Sequence, residues 1–154
     1  MTVLVIRHAH AGVRERWPYD DGQRPLSEQG RVEAKELPHH LSGYPLDRII
    51  SSPLVRCTET VQELARDRGL EVELDDRLIE GTALAEVWEL VREMSGQHVA
   101  LCTHGDLIQQ LVRDLYRRKV DMPGDPAWAK GSTWVLELDG HGEVARADYL
   151  PPPT

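Results

Sequence analysis

The sequence predicts a single-domain α/β protein whose layered sheet carries a hairpin at one edge. Short apolar segments typical of buried strands alternate along the chain with longer segments of helical periodicity. The last pattern differs, because residues 132–150 form two extended segments around the turn sequence DGHG. A chain of 154 residues, 40% of them hydrophobic, suits one core and is too short for two ordinary domains. We therefore expect one domain over residues 1–150 and a disordered tail over residues 151–154.

The first predicted strand covers residues 3–6 and runs into a polar loop over residues 9–25. Ser27 follows this loop and is a typical N-cap residue, because its hydroxyl accepts a hydrogen bond from a free N–H of the first turn. A helix is therefore expected from Ser27 to about Leu41.

The second predicted strand ends at Ser51 or Ser52. Ser52 is expected to cap the next helix, with Pro53 in its first turn, where a missing N–H costs nothing. Gly69 lies where this helix should end. Residues 70–74 then alternate between apolar and polar, as a strand does.

The second half of the chain repeats the alternation of helix and strand. Gly96 is expected to end a helix whose apolar residues recur at helical spacing, namely Ala83, Val87, Val91 and Met94. Residues 98–102 are predicted to be a buried strand. A strongly amphipathic helix follows, with an apolar stripe of Leu107, Ile108, Leu111, Val112 and Leu115 that we assign to the core.

Composition excludes several classes of protein. The formal net charge of −8 argues against a broad nucleic-acid surface, which needs clustered positive charge. No apolar run has the length of a membrane span or a signal peptide, so we expect a cytoplasmic protein with no membrane partner. Cys57 and Cys102 form no metal-binding pattern and are interpreted as small buried residues.

Unusual polar residues follow three of the predicted strands. Arg7 and His8 follow the first strand, Arg56 lies just after the second, and His104 follows the fourth. Open α/β sheets bind ligands at the carboxyl ends of their strands, so these side chains are expected to meet at one edge. Two arginines suit the oxygens of a phosphoryl group, and a neutral histidine nitrogen is a nucleophile for it. Such chemistry needs no metal and no cofactor.

Four motifs in register resemble the histidine phosphatase superfamily, the clan of cofactor-dependent phosphoglycerate mutases and small SixA-type phosphohistidine phosphatases. IRHAHAG resembles the RHG-type signature of the family, and PLSEQGRVEA resembles its helix start. SSPLVRCTETV resembles its Ser-Pro-x-x-Arg-x-x-x-Thr element, and CTHGDLI resembles its second His-Gly motif. The resemblance implies a three-layer α/β/α sandwich with a mostly parallel sheet. It makes His8 the phosphorylated nucleophile, Arg7 and Arg56 phosphate clamps, and His104 the second histidine, which binds phosphate and takes part in catalysis.

The motifs depart from the family pattern at two positions. Ala9 replaces the usual glycine of the first motif, and Thr103 stands where glycine or serine is common. Both side chains are small, so the backbone is expected to accommodate them. The resemblance also suggests Glu80, in the segment RLIEGT, as the acid that protonates the leaving group. An unprotonated nucleophile and a protonated acid predict a bell-shaped rate profile on the acidic side of neutral.

Two alternatives stay open at this point. His8 and His10 form an HxH pair after the first strand, which is how several metal-dependent hydrolase barrels begin, although such barrels need about 250 residues. A non-catalytic module that binds phosphorylated ligands is the second alternative. The sequence does not assign roles to His10, Arg14, Arg16 and Trp17.

The expected partner is a phosphorylated small molecule or a protein phosphohistidine. A chain this short leaves little room for insertions that enclose a specific metabolite, which favours an open pocket over the closed site of a mutase. The sequence predicts no oligomeric state.

Overall fold

The computed structural model describes residues 1–153 and contains one six-stranded sheet with four α-helices. The strands are β1 (Thr2–Arg7), β2 (Arg48–Ser51), β3 (Val72–Leu74), β4 (Val99–Thr103), β5 (Thr133–Leu138) and β6 (Val144–Leu150). The helices are α1 (Glu28–His40), α2 (Val55–Arg68), α3 (Leu84–Glu93) and α4 (Gly105–Arg117). Their order along the chain confirms the predicted α/β alternation.

The sheet has the strand order β3-β2-β4-β1-β5-β6. The first four strands in that order are parallel, and β5 pairs antiparallel with both β1 and β6. The predicted mostly parallel sheet with a C-terminal hairpin at one edge is therefore confirmed.

Side-chain alternation along β1 builds the three layers. Successive residues of a strand point to opposite faces. Val3 and Val5 pack into a core with α3 and α4, whereas Leu4 and Ile6 pack into a second core with α1 and α2. Because β1 is buried on both faces, its sequence is a continuous apolar run rather than an alternating one.

The helix ends agree with the sequence at Ser27 and Gly69 and differ at the start of α2. Ser27 caps α1 by accepting a hydrogen bond from the Gly30 N–H at 3.1 Å, and Gly69 ends α2 in the left-handed conformation, with φ of 66°. The predictions that Ser52 caps α2 and that Pro53 lies in its first turn are wrong. This helix begins at Val55 after Leu54, and the Ser52 hydroxyl contacts a histidine ring instead.

Short 3-10 turns that the sequence did not predict lie at Arg14–Arg16, Asp21–Gln23 and Asp76–Leu78. Cys57 and Cys102 are free and buried, as expected. His40 donates from Nε2 to the Pro151 carbonyl at 3.0 Å, while Thr154 lies outside the described residues, so the disordered tail stays a prediction. None of the helices within residues 1–153 is long and apolar enough to cross a membrane.

Candidate active site

The sheet register brings the predicted site residues to one edge. Arg7 ends β1 beside Thr103 of β4, so His8 and His104 are the next residues on two neighbouring parallel strands. Arg56 lies in the first turn of α2, after the adjacent strand β2. A cavity of about 630 Å³ opens at this edge, and Arg7, His8 and His104 are among its lining residues.

His8 is buried, and its hydrogen bonds fix which ring nitrogen is free. Its Nδ1 lies 2.8 Å from the carbonyl oxygen of Ala9. A carbonyl only accepts hydrogen bonds, so Nδ1 carries the proton and Nε2 keeps its lone pair. Ala9 is itself held by Thr60, whose hydroxyl accepts the Ala9 N–H at 2.9 Å. This contact gives the threonine of the third motif a structural role beside the nucleophile.

Burial lowers the pKa of His8 from 6.5 to about 3. The hydrogen bond to the Ala9 carbonyl opposes this shift, whereas electrostatic repulsion from His104, Arg56 and Arg7 adds to it. The neutral ring is the form that can attack phosphorus. A lowered histidine pKa means that this form persists as the pH falls, down to about pH 3. Protonation of His8 therefore lowers the rate only at a pH far below the one expected for an ordinary histidine.

This charge state can be measured by NMR titration. We expect the His8 Cε1 resonance, assigned by its loss in His8→Asn, to keep the chemical shift of a neutral ring between pH 8 and about pH 4.5. A titration midpoint near the ordinary histidine pKa would show that the burial and the nearby cations do not act on this ring as described.

His104 faces His8 across the site. The two ring centroids are 5.5 Å apart, with their planes at 64°. His104 Nε2 lies 2.9 Å from the Ser52 hydroxyl oxygen and 3.5 Å from Cys57 Sγ. Because Nε2 is engaged in these contacts, Nδ1 is the nitrogen left to bind a ligand.

Arg7 is clamped between a carbonyl and a glycine. Its Nη1 donates to the Trp128 carbonyl at 2.6 Å. Gly105 begins α4 directly against the guanidinium, where a Cβ atom would stand 2.7 Å from Arg7 Cζ. A side chain at position 105 would therefore have to push the Arg7 guanidinium aside.

Gly105→Ala is expected to displace the Arg7 guanidinium and to lower kcat/KM by about 10- to 100-fold, because misplaced charge-stabilising groups cost that much. Steady-state kinetics on an aryl phosphate measure the loss. Gly140→Ala is the matched control, since a Cβ there meets nothing within 4 Å. Equal rates for Gly105→Ala and the wild type would contradict the close approach.

Arg56 is fully buried behind the cavity. Its Nη1 donates to the Asp21 carbonyl at 3.0 Å, and its Nη2 lies 3.2 Å from Asp21 Oδ2 and 3.1 Å from Glu80 Oε1. Glu80 lines the cavity and is also paired with Arg14, whose Nη2 is 3.1 Å from Oε2. Glu80 thus links a buried guanidinium to an exposed one at the mouth of the site.

Three nitrogens of the site have no hydrogen-bond partner within the described chain. They are Nε of Arg7, Nε of Arg56 and Nδ1 of His104, all buried. Buried polar atoms in native proteins are almost always paired. Two cationic groups and one imidazole that share this property at one sheet edge form a site suited to an anion.

The remaining loop residues separate into different roles. His10 Nδ1 lies 2.7 Å from the Ser27 hydroxyl, so this ring supports the start of α1 and does not line the cavity with His8. Arg14 lines the cavity, whereas Arg16 and Trp17 line a separate surface cleft. Residues 1–153 contain no cluster of three or more histidine, cysteine, aspartate or glutamate side chains arranged to hold a metal ion.

The sequence carries no signal for Arg24 and Lys130, which also line the cavity. Arg24 is buried, donates from Nη1 to the Ala11 carbonyl at 2.7 Å and pairs with Asp21 at 2.9 Å. Neither residue lies in a recognisable motif. Lys130 comes from the segment before β5, far along the chain from His8, so no local pattern links the two.

The fold and the site define an α/β sandwich with a histidine- and arginine-lined anion site at the carboxyl edge of its parallel strands. Comparison with known proteins gives the family. Residues 3–86 match the model of the histidine phosphatase superfamily, branch 1, which is more than half of the chain. The chain belongs to the histidine phosphatase superfamily, as the four motifs predict.

Individual relatives agree with this family. The chain is 34% identical to an 8-oxo-(d)GTP phosphatase of Mycolicibacterium smegmatis over 99% of its own length, although it spans only 48% of that relative. It is 26% identical to a phosphohistidine phosphatase SixA homologue of Haemophilus influenzae, with 87% of this chain and 88% of that one covered.

Solved structures confirm the fold. The protein histidine phosphatase SixA complexed with tungstate aligns with a TM-score of 0.76 and 23% identity, over 98% of this chain and 95% of the other. A mycobacterial glucosyl-3-phosphoglycerate phosphatase complexed with VO3 aligns with a TM-score of 0.68 and 19% identity, over 97% and 96% of the two chains.

Proposed function

We propose that this protein is a phosphatase that hydrolyses phosphomonoesters or protein phosphohistidine, without a metal ion, through a covalent phosphohistidine on His8. One observation carries the proposal. A buried histidine keeps a free Nε2 lone pair, at a site where Arg7, Arg56 and His104 each leave a buried nitrogen without a partner. A neutral nucleophile among cations is what attack on a phosphoryl dianion requires.

The first step forms a bond between His8 Nε2 and phosphorus while the bond from phosphorus to the leaving oxygen, or to the leaving imidazole nitrogen of a phosphohistidine, breaks. Arg7 and Arg56 neutralise the charge on the non-bridging oxygens, and His104 Nδ1 is placed to bond one of them. In the second step water attacks phosphorus, the P–N bond breaks, and phosphate leaves with His8 neutral again. The proton that water loses is accepted by the group that protonated the leaving oxygen.

Glu80 is the proposed proton donor, because its carboxyl group lines the cavity beside Arg56. Its ion pairs with Arg14 and Arg56 hold the carboxylate in place. A bound phosphoryl group would compete for Arg56, and Glu80 would then take up from water the proton that it donates to the leaving group. Glu80→Gln keeps the shape of the side chain and removes the acidic proton.

Glu80→Gln is expected to lower kcat by about 100-fold for an alkyl phosphate, the typical contribution of general acid catalysis, and by much less for p-nitrophenyl phosphate. The difference arises because p-nitrophenolate leaves without being protonated. Single-turnover kinetics on both substrates measure it. Equal losses on the two substrates would remove Glu80 from this role.

The relatives support phosphate substrates of two kinds. One is named for 8-oxo-(d)GTP and the other for phosphohistidine, and both classes present a phosphoryl group to the enzyme. We also propose a cytoplasmic location, since the two cysteines are free thiols, the state typical of a reducing compartment.

Hydrolysis of p-nitrophenyl phosphate in excess EDTA tests the proposed function. We expect full activity in EDTA and no gain from zinc or manganese. Activity that EDTA abolishes and metal restores would instead support the metal-dependent alternative with His8 and His10. Absence of turnover on any phosphomonoester or phosphoamidate would support the non-catalytic binding module.

A further inference from the structure

Lys130 is held beside the nucleophile by the backbone. The N–H of the next residue, Gly131, lies 3.1 Å from the Arg7 carbonyl oxygen and 3.0 Å from the His8 carbonyl oxygen. Ser132 N–H closes a turn by donating to the Ala129 carbonyl at 3.0 Å. The lysine therefore sits on a backbone segment that is bonded to the end of β1, and its side chain lines the same cavity as His8.

The charges around Lys130 are mostly positive. Burial lowers the pKa of its ammonium group, and Arg7, Arg24 and Arg56 lower it further, while Glu33 acts in the opposite direction. Glu33 Oε1 accepts a hydrogen bond from the His10 backbone N–H at 3.2 Å. Within residues 1–153, Lys130 forms no ion pair with any carboxylate. Repulsion from three arginines makes a charged ammonium group unfavourable in this cavity unless an anion binds there.

The other cations of the inner cavity already have partners or a role. Arg14 pairs with Glu80, and Arg24 pairs with Asp21 and the Ala11 carbonyl. Arg7 and Arg56 serve the transferred phosphoryl group in the proposed mechanism. Arg113 of α4 also lines the cavity, but it is an exposed residue. Lys130 is therefore the inner cation left over, in a cavity of about 630 Å³, within the range of roughly 300–1,000 Å³ that holds whole small molecules.

We propose that Lys130 forms a second anion subsite, so that the preferred substrate is a small molecule carrying another phosphate or carboxylate besides the phosphoryl group that His8 removes. This inference rests on the proposed function and selects between its two substrate classes. The leaving group of a protein phosphohistidine is an imidazole ring with no such anion, which leaves Lys130 without a partner.

Three substrates with the same three-carbon chain test the subsite. They are 3-hydroxypropyl phosphate, 3-phosphonooxypropanoate and propane-1,3-diyl bisphosphate, which end in a hydroxyl, a carboxylate and a phosphate. We expect kcat/KM for the better anionic substrate to exceed that for the hydroxyl substrate by about 10- to 100-fold, the range that one charge-assisted hydrogen bond supplies. The ranking of the two anionic substrates then identifies the group.

Lys130→Met is expected to collapse this preference to below about threefold, and Lys130→Arg to retain part of it. Lys35→Met, at an exposed lysine of α1, is the matched control and should keep the preference of the wild type. An equal loss on all three substrates in Lys130→Met would overturn the proposal, because Lys130 would then serve the transferred phosphoryl group itself. A wild type without any preference would overturn it too.

Binding separates this proposal from the proposed function. In His8→Ala protein, calorimetry with phosphate and pyrophosphate compares one anionic group with two. We expect pyrophosphate to bind about tenfold more tightly, and His8→Ala with Lys130→Met to lose that difference. If no substrate is turned over but this difference is found, the proposed function fails and the subsite stands. If pyrophosphate binds His8→Ala and the double variant with equal affinity, the subsite is excluded.

Discussion

His8→Ala is expected to abolish turnover, with kcat falling by about 10⁴-fold or more, the size of effect seen when a covalent nucleophile is removed. The arginines would still bind and polarise phosphate, so substrate affinity should change far less than kcat. Alanine leaves no lone pair at the position of Nε2, and the remaining route is slow attack by water.

Steady-state kinetics with a substrate whose product is detected at nanomolar levels measure this loss. His39→Ala is the matched control, because it removes an exposed imidazole from α1 and should not change the rate. The folded state of both variants is checked by thermal unfolding. A His8→Ala protein that keeps more than about one hundredth of the wild-type kcat would contradict covalent catalysis at this position.

Arg56→Met is expected to lower kcat/KM by about 10²- to 10³-fold, as removal of one charge-stabilising donor does. Arg56 is fully buried and pairs with Asp21 and Glu80, whose side chains are 30% and 34% exposed. The two carboxylates can reach water once the guanidinium is gone, and methionine keeps most of the side-chain volume of arginine. The free energy of unfolding should therefore fall by no more than about 1–3 kcal/mol.

Kinetics and urea unfolding on the same preparations separate these effects. Arg66→Met, an exposed position on the same helix with 71% side-chain exposure, is the control and should leave both quantities near those of the wild type. Arg56→Lys keeps the charge without the planar fork, so it should recover only part of the rate. A rate loss no larger than that of the control would remove Arg56 from the phosphate clamp.

The sequence predicted the layers of the fold because burial leaves a local pattern. Apolar runs such as residues 3–6 and the stripe of α4 are readable without the structure, as is the hairpin around residues 139–142. The strand order is not readable, since β4 lies between β1 and β2 through pairings that join segments about 50 to 100 residues apart.

Site residues were predictable only where a motif carries them. Serine is a typical N-cap residue, which is why the sequence assigns Ser52 to the helix start. Nothing local distinguishes a serine that caps a helix from one that contacts a histidine 52 residues away. The Arg24 side chain donates to the Ala11 carbonyl, and Lys130 precedes a glycine whose N–H is bonded to the end of β1. The position of both residues therefore depends on tertiary structure.

Rapid-quench trapping of the phosphoenzyme tests the nucleophile most directly. A ³²P-labelled substrate is mixed with the enzyme, quenched within milliseconds under alkaline and acidic conditions, and the labelled peptide is mapped. We expect phosphate that is stable to base, labile to acid, bound to the imidazole of His8 and missing from His8→Ala. Active enzyme that carries no label, or that carries it on another side chain, would exclude covalent catalysis by His8.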